Sequence, residues 1–529
     1  MPSVAGSATR CPQNERNDGG PVRHDEMHAA SLFHVAVLGR HSPGDAPIGP
    51  VGTASGSMPS GVWLKDTVAI PAPEIPALRV SAPIAGLLFA GAIAALGCAS
   101  EEPPPNVLLI TIDTIRADHL SAYGYELETT PELSRLAGEG VRFDTAYAST
   151  ATTAPSHVSL FTSLHPVTHR VVKNGRLLAP GHETLAEILS SKGFDTAGIV
   201  SSYVLSGRFG YGQGFDSWNE DFELADVPEL PVAWDGQIIP GKFHGRADDT
   251  TRRALSWLRA RSKGAPPFFL FVHYYDPHDP YDPPSEFADR FGSASSRPLE
   301  RVVGRYDAEI AFTDQEIGRL LAGLSEMGLA RDTIVVVTGD HGEGLMQHGH
   351  MAHGVNVYEE AIRVPLLFRW PGGIAEGASF DTPVGILDIA PTLLELLGIE
   401  PGGRGFEGRS LAPVLRGDAA DYESQPIWSY RRSYEPRMVE RTWVEGEKFA
   451  VRKGRWKYIL GPEEQFEELF DLEIDPGERQ NLFEERPEVA GELRELVESF
   501  RERVTRPDPE IPVLDQADRA RLEALGYVE

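Results

Sequence analysis

The chain has 529 residues, of which 41% are hydrophobic and 24% charged, and its formal net charge is −29. That acidity excludes a nucleic-acid polymer as partner, because phosphate backbones need basic surface. Two cysteines, Cys11 and Cys98, exclude a disulfide scaffold or a cysteine-rich zinc module.

Residues 1–79 are rich in Gly, Pro, Ser and Ala without periodicity, and read as disordered or as an over-extended start of the reading frame, with Met58 as another initiator. Ser81–Gly97 is a short apolar run of small residues with Lys65 and Arg79 upstream, the look of a signal-peptide core. Residues 80–98 form a lipoprotein-type segment: Ala95-Leu96-Gly97-Cys98 resembles a bacterial lipoprotein processing site, with its Leu one position later than usual. Residues 99–105 read as a stiff Pro-rich tether. The expectation is an exported protein of the bacterial cell envelope, anchored to the membrane through lipidated Cys98.

The body then alternates strands and helices. Val107–Ile112 and Phe268–His273 are continuous apolar runs, as expected of strands buried on both faces. Thr130-Pro131 opens a helix as N-cap and first-turn proline, with Gly138 or Gly140 closing it. Thr184–Lys192 is a helix stopped by Gly193, followed by a strand near Thr196–Ser201. Tyr306–Met327 is a long amphipathic helix, Thr333–Thr338 and Leu366–Phe368 are strands, and Ile389–Leu397 is a helix behind Asp388. This pattern predicts an α/β catalytic domain over 106–415 with a large, mixed, mostly parallel sheet flanked by helices, whose ligands sit at the carboxyl ends of the strands. Residues 416–529 read as a smaller C-terminal α+β subdomain, with strands at Pro426–Ser429, Phe449–Arg452 and Trp456–Leu460, a strand and turn over Glu468–Gly477, and a helix over Glu488–Val504.

Four features carry chemistry. Asp113 and Asp340 each follow an apolar strand, and His341 follows Asp340, so strand ends deliver two carboxylates and an imidazole to one divalent cation. Thr153-Ala-Pro-Ser-His157 places a hydroxyl where Pro155 would begin a helix, near amide donors that favour an anion. His341, His348, His350 and His353 cluster beside Asp340 as ligands and proton donors. His278 lies in a proline-fixed loop after the Phe268–His273 strand, in reach of a leaving group. The aromatics Phe209, Tyr211, Phe215, Trp218 and Trp234 either wall the cleft or pack as an ordinary loop.

Asn106–Asp118, the Thr153 segment, Asp276–Tyr281, Thr338–Glu343, Tyr358–Pro365 and the late Phe470–Asn481 resemble the sulfatase family of the alkaline phosphatase superfamily, in the same order, across about residues 106–529. The resemblance implies an alkaline-phosphatase/sulfatase-like fold and a metal-dependent ester hydrolase. It implies one divalent cation held by Asp113, Asp340 and His341 that also touches the nucleophile Thr153, and His278 as the leaving-group histidine, with His353 as a further proton donor. Asn174 resembles the anion-binding Asn of phosphodiesterases and phosphonate monoesterases, and Lys173, Arg116 and His157 complete the substrate-binding set.

The sequence departs from that family at the nucleophile. Sulfatases carry Cys or Ser there, oxidised to formylglycine; a threonine oxidises to a ketone, so formylglycine is not expected. Thr-x-Pro-Ser-His is closer to the nucleotide pyrophosphatase and phosphodiesterase branch. Ser201–Leu205 replaces the family's Lys-x-His segment, no Lys precedes Tyr358, and Thr114 replaces a second Asp. The expected substrate is a small anionic ester, leaning to a phosphodiester or phosphonate ester, with arylsulfatase-like hydrolysis as the near alternative. A phosphoethanolamine or phosphoglycerol transferase and a non-catalytic binding lipoprotein are further readings. A carboxylate-rich site with one His suits Ca, Mg or Mn, and added His would favour Zn.

Overall fold

The computed structural model of the chain describes residues 103–221, 232–234, 237–239, 244–400, 405–418, 422, 424–439 and 442–504. The expected signal segment, Cys98 and most of the tether lie outside the described residues.

Nine strands form one mixed sheet: β1 (Asn106–Ile112), β2 (Val141–Tyr147), β3 (Asp195–Ile199), β4 (Ser217–Asn219), β5 (Phe268–Tyr274), β6 (Thr333–Gly339), β7 (Arg363–Arg369), β8 (Ala378–Phe380) and β9 (Val384–Gly385). Their order is β8-β2-β7-β6-β1-β5-β3-β4, with β9 also on β2. The run β6-β1-β5-β3-β4 is parallel, and β7 lies antiparallel to β6 and to β2. Alternate residues of each central strand enter different cores. Val107, Leu109, Phe269, Phe271, Ile334 and Val336 face one side, while Leu108, Ile110, Leu270, Val272, Val335 and Val337 face the other. Burial on both faces explains why these strands read as unbroken apolar runs.

Helices α1 (Pro131–Gly138), α2 (Thr153–Thr162), α3 (Leu185–Ser191), α4 (Ala247–Ala260), α5 (Pro298–Glu326) and α6 (Ile389–Leu396) cover the sheet. α2, α3 and α6 pack on the first face, and α1, α4 and α5 on the second. α5 begins at Pro298, not Tyr306: Val302 and Val303 already pack against the core ahead of Tyr306, while the first four residues are exposed. Thr184 caps α3 through a capping box with Glu187. Thr130 does not cap α1 with its side chain. Instead, the Asp314 carboxylate on α5 accepts from the N–H groups of Glu132 and Leu133, both at 2.9 Å.

The C-terminal subdomain is an antiparallel sheet, β10 (Ile427–Val439), β11 (Thr442–Lys453), β12 (Trp456–Gly461) and β13 (Phe466–Asp471), in that order, with α7 (Pro487–Val504) packed on it. Ala490, Leu493, Val497 and Phe500 of α7 are buried against Phe449, Val451, Tyr458 and Leu469. Each large apolar side chain buried there stabilises the packing by about 1.5–3 kcal/mol. Phe209 and Tyr211 are buried, and Phe215 and Trp218 pack against the core, so these four aromatics are structural. Trp234 carries no described side chain.

Candidate active site

The sheet brings the predicted chemistry together at its carboxyl edge. Asp113 leaves β1, Asp340 and His341 leave the neighbouring β6, and Thr153 is the first residue of α2. One potential ligand atom from each of Asp113, Asp340 and His341 lies within 4.8 Å of the others, and all three side chains are buried. Thr153 Oγ1 lies 3.3 Å from His341 Nε2. Every residue of α2 is buried, so Thr153 sits on a fixed platform. Asn174 Oδ1 accepts the N–H of Ala154 at 2.9 Å, capping this helix from another loop. That leaves its amide nitrogen as the donor it can offer an anion. Lys173 is half-buried beside it.

The polar atoms of this centre are short of partners. Both carboxylate oxygens of Asp113 and Oδ2 of Asp340 are buried and make no hydrogen bond. The Asp113 carboxyl is pushed well up by burial and by the nearby Asp340 and Glu343 carboxylates. Burial likewise raises Asp340. His341 Nδ1–H donates to the carbonyl of Gly342 at 2.9 Å, so Nε2 carries the lone pair and faces the acids. Burial and His353 hold His341 neutral. Orphaned buried carboxylate oxygens around a neutral imidazole nitrogen are a donor set that fits a divalent cation. Asp113, Asp340 and His341 are the residues that would hold it, with Thr153 Oγ1 adjoining.

The turn behind this centre is tight. Thr114 follows Asp113 at φ +54°, the left-handed region, and its N–H donates to Asp340 Oδ1 at 3.2 Å. Gly342 passes so close to the Glu360 carbonyl that a Cβ would lie 2.1 Å from its oxygen. Only glycine fits there.

The remaining candidates divide by position. His278 Nδ1–H donates to the Asp279 carbonyl at 2.6 Å, and its Nε2 is buried without a hydrogen bond. Burial and His353 keep His278 neutral, so Nε2 offers a lone pair, not a proton. His353 differs: burial alone would lower it, but the Glu343 carboxylate, 3.2 Å from Nδ1, and Asp340 raise it. His353 packs against the rings of both His341 and His278, with centroids 4.6 and 4.9 Å away. Of the three rings it is the one whose surroundings favour holding a proton.

His157 lies beneath Thr153. Nδ1–H donates to the Thr153 carbonyl at 2.8 Å, and Nε2 accepts from Thr111 Oγ1 at 2.9 Å. It braces Thr153 from within the core. The Arg116 guanidinium forks onto Asp118 and donates to the Glu343 carbonyl at 3.1 Å. These bonds place it behind the Glu343 loop. His348 pairs with Glu360 at 2.7 Å, apart from the Asp113 centre. Glu343, Thr111 and His273 had not been singled out in the sequence. Glu343 was visible in the Asp-His-Gly-Glu motif, but its partnership with His353 needs the folded loop. His273 faces inward from β5, with Nε2 3.6 Å from Asp113 Oδ2.

A wide, mostly parallel sheet whose strand ends gather two carboxylates, an imidazole and a helix-borne hydroxyl defines a metal-dependent ester hydrolase. The chain matches the Sulfatase family model over residues 105–399 and the C-terminal N-sulphoglucosamine sulphohydrolase model over 347–505, and it belongs to the sulfatase family. It is similar to the N-acetylglucosamine-6-O-sulfatase of Bacteroides thetaiotaomicron, 25% identical across 85% of this chain and 97% of that protein. It is 26% identical to the steryl-sulfatase of Mus musculus across 80% and 84% of the two chains. Among solved structures, the phosphonate monoester hydrolase of Agrobacterium radiobacter superposes with a TM-score of 0.62 at 21% identity, covering 78% of this chain and all of that one (100%). A structure described in complex with its substrate D-glucosamine-2-N,6-O-disulfate gives a TM-score of 0.63 at 23% identity, covering 77% and 99%.

Proposed function

We propose that this sulfatase-family enzyme hydrolyses a small phosphodiester or phosphonate ester, with unmodified Thr153 as nucleophile. The observation that carries the reading is the Thr153 hydroxyl 3.3 Å from His341 Nε2, on the first residue of a fully buried helix and beside the Asp113–Asp340–His341 donor set. A divalent cation bound there, Ca, Mg, Mn or Zn, supplies positive charge that acidifies the neighbouring hydroxyl and offsets the ester's negative charge.

The chain's own groups do the rest. The amide nitrogen of Asn174, whose oxygen caps α2, and Lys173 beside it receive the anionic ester oxygens. Thr153 Oγ1 gives its proton to solvent before the ester binds and attacks phosphorus in line as the alkoxide; the Oγ1–P bond forms as the bond to the leaving oxygen breaks. His353 gives its proton to that oxygen and becomes neutral. Water then attacks the phospho-threonine, the now neutral His353 takes its proton and is recharged, and Oγ1 leaves phosphorus as the alkoxide that begins the next cycle. Neutral His278 accepts a hydrogen bond beside this path.

A second reading, sulfate ester hydrolysis, is favoured by the curated relatives, which are named as sulfatases. Metal-loaded protein assayed on p-nitrophenyl sulfate, p-nitrophenyl phosphate and bis-p-nitrophenyl phosphate separates the two. Phosphodiester turnover that disappears in Thr153→Ala supports the proposal. Sulfate turnover as the dominant activity would overturn it in favour of the second reading. We further infer lipid anchoring in the cell envelope through Cys98; wild-type protein that stays soluble like Cys98→Ala after membrane fractionation would refute it.

A further inference from the structure

The loop that carries His353 leaves β6 at Asp340 and returns at β7. Its two ends are tied together where the N–H groups of Gly342 and Glu343 donate to the carbonyls of Ala361 and Glu360 at 2.9 and 2.8 Å. Within the loop, Gly344–Leu345 pairs with Met351–Ala352. The segment just after His353 is held by another part of the chain. Tyr434 Oη, on β10 of the C-terminal subdomain, donates to the Gly354 carbonyl at 3.0 Å. Arg431 Nη1, on the same strand, donates to the Val355 carbonyl at 3.1 Å.

Both anchors are themselves fixed. The Arg431 side chain is 1% exposed and donates to Glu464 at 3.1 Å and to the carbonyls of Glu445 and Gly446 at 2.7 and 2.9 Å. Val355, Tyr434 and Val444 of β11 form a small apolar cluster. Gly354 has φ +83°, and a Cβ there would lie 3.6 Å from Tyr434 Oη and 3.7 Å from both Thr152 Oγ1 and the Ala151 carbonyl. Gly354, which the β10–β11 hairpin holds, thus lies beside Thr152, one residue before Thr153. His353 is held at its ring by Glu343, and the two residues that follow it are held at their carbonyls by this hairpin.

We propose that Tyr434 is a positioning residue for His353: its hydroxyl fixes the backbone that follows His353 and so sets where the imidazole meets the leaving oxygen. The inference rests on the reading of His353 as proton donor. A misplaced donor costs most when the leaving oxygen is a poor leaving group, because such an oxygen needs its proton in the transition state, whereas p-nitrophenolate departs with little help.

The test uses the full chain with saturating metal and two series of aryl esters, methylphosphonates and sulfates, whose leaving groups run from p-nitrophenol to phenol. Tyr434→Phe keeps the ring and its apolar contacts while removing the hydroxyl. Its kcat should fall less than threefold on the p-nitrophenyl ester and at least tenfold on the phenyl ester. His353→Asn should show the same skew more strongly, and the double variant should add nothing to His353→Asn. An equal loss on both esters in Tyr434→Phe, or a further loss in the double variant, overturns the assignment while leaving His353 as proton donor. If His353→Asn itself shows no skew, the proton-donor reading fails and the inference fails with it. Should Tyr434→Phe not fold, Arg431→Lys probes the same segment with the same criteria.

Discussion

His341 touches Thr153 with one ring nitrogen and its own backbone with the other: Nε2 lies 3.3 Å from Thr153 Oγ1, and Nδ1–H donates to the Gly342 carbonyl. The backbone bond sets the tautomer, and the tautomer aims a lone pair at the hydroxyl and the two acids. Thr153→Ala is therefore expected to separate chemistry from metal binding. Turnover should fall by on the order of 10⁴-fold or more, the scale seen when a covalent nucleophile is removed. The rise in Tm on adding divalent cation should persist, because Asp113, Asp340 and His341 are untouched. Loss of that rise would mean that Thr153 shapes the donor set itself.

Asp113 and Asp340 both titrate above the ordinary carboxylate value of about 3.9, Asp113 through burial, Asp340 and Glu343, and Asp340 through burial. In metal-free protein the folded state then holds more protons than the unfolded state once the pH exceeds about 4, so stability falls as pH rises until both acids are ionised. Metal-free wild type should lose Tm as pH rises from about 4 through the Asp340 titration at about 7, and Asp340→Asn should flatten that slope. Saturating cation should flatten it in the wild type as well. A slope unchanged in Asp340→Asn would assign the titration to other groups.

Thr114 occupies the left-handed region at φ +54°, where a β-branched residue carries strain of about 1–2 kcal/mol. Thr114→Gly relieves that strain and is expected to raise stability by about 1 kcal/mol in urea unfolding of the metal-free protein. A destabilised variant would show that the Thr114 side chain contributes more than its backbone costs.

Lys457 is buried, with Nζ 2.8 Å from Glu478 and 3.1 Å from Glu359. It joins β12 of the C-terminal subdomain to the short helix Glu359–Ile362, just before β7. Lys457→Met leaves two carboxylates without their cation and should destabilise by about 3–5 kcal/mol. Equilibrium unfolding measures this directly; a loss under 1 kcal/mol would mean that the carboxylates simply take up protons.

The sequence made the central sheet legible because β1, β5 and β6 are buried on both faces and so are written as unbroken apolar runs. It made Asp113 and Asp340 legible because each ends such a run. Strand β2 was not anticipated, since Arg142, Asp144 and Thr145 interrupt its apolar residues and are only partly buried. The long β10–β11 hairpin was seen only as fragments. Its register shifts after Arg431 and again after Tyr434, which breaks the alternation that marks a strand. The cap of α1 by Asp314, and the grip of Glu343 and Tyr434 on the His353 loop, depend on partners distant in the chain. No local pattern announces them.

The bond from the Thr114 N–H to Asp340 Oδ1 spans 226 residues. The two metal-facing acids therefore meet only after β1 and β6 have come together in the middle of the sheet. An unfolded or half-synthesised chain presents them as isolated carboxylates of negligible cation affinity. Metal capture in this enzyme is thus a late event in its biogenesis. The ion it acquires is chosen from those around the chain when it finishes folding.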